Sequence, residues 1–286
     1  MESKDRLSSA SGQLDEFARI QRSVERRTPA RGYWILALWS AVLMASYFAA
    51  FLFSHGGFTP AEVGARAGGY SGVWAFMAPV LIFSSLQSGA RERFSIQAKP
   101  SRLQRLAYLF LTLGFVALIG LSFAGISYPG WLNAALPLVM LLVLAAGPFR
   151  RLLATPRNSA EVWGNAPLPS DIRLMTACIG LFIGVLLATA STPFAAAITG
   201  MVVFLCLLLV TLARDSRFGL PRVGFEWGSI QWSAFGVCAA IAFLGFTLGN
   251  VASWFSPAWS VAAGVLVFLI MCGSAVFPRG RSRGEA

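Results

Sequence analysis

Cysteine is the side chain here whose number could support metal or redox chemistry, and its placement argues against both. Cys178, Cys206, Cys238 and Cys272 fall one each in the last four apolar segments, with no Cys-x-x-Cys pair. A zinc centre needs several ligands converging on one ion, at about 2.3 Å for each thiolate. Thiols spread singly along apolar segments act as small packing residues. The single histidine, His55, and the carboxylate Glu62 come next. They are too few for a ligand set, and a solvated loop pair is the simpler reading. No phosphate loop or dinucleotide glycine motif is present, so the chain is not expected to draw on a nucleotide directly. These residues imply no catalytic site, no cofactor and no metal.

The apolar segments lack the groups that ion coupling and intramembrane proteolysis require. Proton relays and voltage sensors place ionisable residues within the membrane, and aspartyl proteolysis needs two carboxylates. The apolar segments hold no Asp, Glu, Lys, Arg or His.

The segments themselves fix the fold class. Of the 286 residues, 56% are apolar and only 12% charged, against about 25% charged in soluble domains. The charges are clustered, and between clusters lie uncharged stretches of the roughly 20 residues that cross a bilayer as a helix. Spans are expected at 33–54, 72–89, 106–125, 131–148, 174–191, 194–213, 230–250 and 256–277. The expectation is an all-α, polytopic transmembrane bundle of about eight spans. It divides into a cytosolic arm at 1–32, an eight-span membrane domain at 33–286 and a short cytosolic tail at 278–286. The arm is polar, so the first span reads as an uncleaved anchor rather than a signal peptide.

Arginine sets the expected orientation. Lys and Arg accumulate in cytoplasmic loops, and 22 of the 23 basic residues fall in the arm, the tail or the even-numbered loops; Arg66 is the exception. Both termini are therefore expected in the cytoplasm. The 40 residues of 174–213 would make one helix of about 60 Å, so a hairpin at Ser191-Thr192-Pro193 is expected instead, since the residue before proline avoids the helical region. The net charge of +11 follows from this topology bias and from attraction to anionic lipid; nucleic acid is not an expected partner. Arginine outnumbers lysine 21 to 2, which suggests a bacterial origin and a cell (inner or plasma) membrane location.

Within the arm, Leu14, Phe17, Ile20 and Val24 share one face of a helix spanning 10–27, interrupted by Gln21 and Glu25. Such a face suits a lipid interface or a docked cytosolic partner. Gly180 and Gly184, like Gly245 and Gly249, stand four apart, the spacing that lets membrane helices approach closely. They read as packing positions within the bundle, or between copies in a homo-oligomer. Trp34, Trp131, Trp254 and Trp259 near span ends read as interfacial anchors.

The functional expectation is a multi-pass membrane protein without catalysis of its own. It would act as a permease-like or accessory subunit working with a cytosolic ATPase or regulator. The alternative is a self-contained facilitator for an apolar or zwitterionic solute, and a membrane enzyme is a distant third.

Overall fold

A computed structural model describes residues 31–58, 61–62, 72–94, 102–155, 167–213, 216–252 and 254–277. The arm residues Leu14, Phe17, Ile20 and Val24 lie outside the described residues, as does Arg66. The described residues form nine helices and no strand. They are α1 (Arg31–His55), α2 (Gly72–Phe94), α3 (Arg102–Phe123), α4 (Leu132–Ala154), α5 (Ser170–Thr189), α6 (Pro193–Leu212), α7 (Leu220–Glu226), α8 (Ser229–Val251) and α9 (Pro257–Val276).

Seven of them, all but α2 and α7, contain stretches long and apolar enough to cross a membrane. The protein is a multi-pass membrane protein. Its surface fits that conclusion, with Phe110, Leu142, Phe194, Leu212 and Leu244 exposed on five different helices. Side chains of this kind stand outward only where the surrounding solvent is lipid.

The 23-residue α2 is about 34 Å long at 1.5 Å per residue, yet it is more polar than the seven. Ser84, Ser85, Gln87 and Ser88 interrupt its second half, and it ends at Arg91-Glu92-Arg93. The reason is its position. It packs against α1, α5, α6, α7 and α8, and Phe76, Ile82 and Leu86 on it are fully buried. A helix surrounded by protein does not need the apolar coat that lipid demands.

Side-chain contacts give the relative directions. Phe76 meets Phe246 and Phe83 meets Trp232, so α2 and α8 run antiparallel. Gly236 lies against the Trp39 ring and Tyr47 meets Phe243, so α1 and α8 run parallel. The most intimate pairs are α5 with α9 and α1 with α4. One large core joins α1, α2 and α5 to α9. A smaller one, around Phe48, Leu111 and Met140, attaches the α3–α4 hairpin to α1.

The chain turns between α5 and α6 at Ala190–Thr192, where the Thr192 amide donates to the Thr189 carbonyl at 3.0 Å and Pro193 opens the next helix. Two features depart from the hydropathy reading. Helix α4 continues past Pro148 to Ala154, because proline deletes only one helical donor when the next turn can still pair. The expected loop after α6 contains the short α7, which lies against the end of α2.

Candidate ligand-binding cleft

Three helices place polar residues one turn apart along facing stripes. On α1 these include Tyr33 and Ser40, on α2 Ser84, Gln87 and Arg91, and on α4 Arg151. Intervals of three, four and seven residues put such groups on one helical face. Between the stripes lies a cleft of about 570 Å³, within the roughly 300–1,000 Å³ of small-molecule sites. Its deeper walls are apolar and include Met44, Val80, Phe83 and Leu144.

A relay of hydrogen bonds orders the polar wall. Ser40 Oγ donates to the Leu36 carbonyl at 2.9 Å. Gln87 Nε2 donates to Ser40 Oγ at 2.7 Å, and Arg91 Nη2 donates to Gln87 Oε1 at 3.2 Å. The Gln87 amide is thereby fixed in orientation, and the Arg91 guanidinium is tethered at the mouth with donors to spare. On the opposite wall the Arg151 guanidinium lies over the Trp34 ring, 5.0 Å from its centroid, a cation–π contact. Tyr33 packs edge-on to Trp34 at 4.9 Å and lies within Coulombic range of both guanidiniums and of Tyr108. Among the described residues no acid lines the cleft. Among the described residues neither Arg91 nor Arg151 pairs with a carboxylate. The mouth is therefore electropositive.

The far end of the bundle is tied shut. Phe115 of α3 packs on Phe48 at 4.2 Å and on Phe51 at 5.5 Å. Beyond them, the Gly57 amide donates to Ser122 Oγ at 2.7 Å, and Tyr128 donates to Asn133 Oδ1 at 3.0 Å. Asn133 Nδ2 donates to the Gly56 carbonyl at 3.3 Å. A second cavity of about 310 Å³ lies between α2, α6 and α7, lined by Ser84, Ser85, Ser88, Thr211, Leu220 and Pro221.

Of the residues singled out in the sequence, Trp34 lines the cleft and the others that the structure describes lie elsewhere. A Cβ on Gly180 would meet the Met271 side chain at 2.5 Å, and one on Gly184 the Gly264 carbonyl at 2.6 Å, so both face α9. A Cβ on Gly245 would meet Leu187 of α5 at 2.5 Å, whereas at Gly249 the nearest atom is 3.9 Å away. Cys238 is fully buried, and its thiol donates to the Val267 carbonyl at 3.6 Å. No group of three or more His, Cys, Asp or Glu converges among the described residues. His55 is buried, stacked on Phe51 at 4.6 Å with Nδ1 3.2 Å from the Phe51 carbonyl oxygen; Glu62 is exposed. Trp131, Trp254 and Trp259 are exposed, but Trp34 is buried beneath Arg151 and does not serve as a lipid-facing anchor.

Sequence reasoning counted Arg91 and Arg151 as topology charges and passed over Ser40 and Gln87. The available signal was polarity inside an apolar span: Ser84, Ser85, Gln87 and Ser88 make span two the most polar. Comparison with protein-family models, with curated proteins and with solved structures finds no match to this chain.

Proposed function

We propose that this is a non-catalytic, permease-like protein of a bacterial cell membrane, whose cleft between α1, α2 and α4 receives a ligand from the cytoplasmic side. The observation that carries this reading is the cleft itself: an ordered polar wall, an apolar floor and two guanidiniums at its mouth. Its groups are suited to binding. Ser40 Oγ donates to a carbonyl and accepts from an amide, so neither partner is a base that would make it a nucleophile.

In this reading eight helices cross the membrane, α2 included. Its length supports a crossing, as does its antiparallel packing on α8. Arg31, Arg91, Arg151, Arg173 and Arg222 lie on helix ends that the alternation of directions brings to one end of the bundle. The positive-inside rule makes that end cytoplasmic, with the arm and the tail on the same side. The same end favours a second reading, in which Arg217 and Arg222, outside the cleft, contact a cytosolic ATPase or regulator.

The test is sided labelling in a cysteine-free background. Ser40→Cys should react with an impermeant maleimide in inverted vesicles and not in right-side-out cells, and Gly57→Cys the reverse. Reaction of Ser40→Cys from the Gly57 side would overturn the orientation, and no reaction from either side would overturn the open cleft. Solute flux by the purified protein alone in vesicles would favour a self-contained facilitator over a partner-dependent subunit.

A further inference from the structure

We propose that the cleft binds an anionic phospholipid drawn from the surrounding leaflet, its phosphate between Arg91 and Arg151 and its acyl chain along Met44, Val80 and Leu144. This deepens the reading of the cleft as the working site and rests on it. Three observations select the ligand class. Among the described residues the mouth carries two cations and no acid, and guanidinium forks match phosphate oxygens. The cations stand at headgroup height: Arg91 and Arg151 lie in the last turns of α2 and α4, beside Tyr33 and Trp34 in the first turn of α1. Aromatic and arginine side chains collect at that level of a membrane.

The third observation is the floor. Along α1 the cleft runs from Tyr33 to Met44, about 16 Å at 1.5 Å per residue. A free anion would occupy only the mouth and leave that apolar length unfilled, whereas an acyl chain would cover it. A lateral path exists as well. Helix α3 packs mainly on α1 and α4, and Tyr108 is its one described residue in the cleft wall. Its neighbours Leu106, Leu109 and Phe110 are exposed, so lipid borders the cleft on that side.

The test uses the full chain purified in mild detergent. Native mass spectrometry would measure retained phosphatidylglycerol and phosphatidylcholine, with inorganic phosphate as competitor. Phosphatidylglycerol should be retained over phosphatidylcholine, whose choline offsets its phosphate, by roughly tenfold or more, the scale expected for two arginines beside a lipid of net negative charge. Arg91→Gln with Arg151→Gln should abolish that preference, and Arg217→Gln, outside the cleft, should keep it. Ala37→Trp, which fills the cleft without changing charge, should lower retention of phosphatidylglycerol. Equal retention of both lipids, or a preference unchanged in the double variant, would overturn the proposal. Full displacement by inorganic phosphate would also overturn it and identify a soluble anion as the ligand. Ser40→Cys separates the two levels of the argument. Labelling that added phosphatidylglycerol fails to slow rejects the lipid and leaves the open cleft standing.

Discussion

At Gly89 and Gly224 the backbones of α2 and α7 come so close that a Cβ on either would fall on a carbonyl of the other helix, that of Pro221 or of Leu86. Neither obstacle is a flexible side-chain end, so the helices themselves must separate. Around this contact Arg93 donates to the Phe225 carbonyl at 2.5 Å, and the buried Trp227 donates to Thr176 Oγ1 at 2.9 Å. Gly224→Ala should therefore destabilise the protein by about 1–3 kcal/mol, the usual range for overpacking, and lower the melting temperature of the detergent-solubilised chain. Gly273→Ala is the control. Nothing lies within 4 Å of its Cβ position, and alanine is favoured over glycine in a helix by about 1 kcal/mol. Equal melting temperatures for the two variants would contradict this account of the α2–α7 contact.

The α3–α4 hairpin is attached to the bundle through α1. Its apolar attachment is the small cluster around Phe48, Leu111 and Met140, and the polar knot of Gly56, Gly57, Ser122, Tyr128 and Asn133 closes it at one end. The knot needs Gly57, whose φ of +79° lies where side chains are strained. Asn133→Ala removes two hydrogen bonds, a cost of about 1–3 kcal/mol. The expected consequence is local: faster amide exchange in the C-terminal half of α3 and the first turns of α4, with α8 and α9 unchanged. Exchange rising equally across the whole bundle would show that the hairpin is not a separable unit.

At the scale of the molecule, the described residues of α1, α2 and α5 to α9 form the large core among themselves. Deleting residues 1–30 should leave a bundle that inserts, purifies as a monodisperse species and keeps its orientation, since Arg31 and the inner-loop arginines remain. Sided labelling of Gly57→Cys in the truncated chain checks this. A chain that no longer inserts would show that the arm is required for assembly.

The sequence by itself determined the helical class and the membrane setting. Apolar length is a local property, and Leu, Val, Phe and Ala repeated over about 20 residues satisfy both the helix and the lipid wherever their neighbours lie. The break before Pro193 was legible for the same local reason. The polarity of span two was visible too, but its meaning was not, because whether Ser84 and Gln87 face lipid, protein or a cleft depends on which helices surround α2. Only the tertiary structure decided that α1, α2 and α4 meet, that Gln87 reaches Ser40 across 47 positions of sequence, and that Arg151 covers Trp34. Spacing reports the face on which a residue sits, while a binding site also requires knowing what the face opposes, and that follows from packing among distant segments.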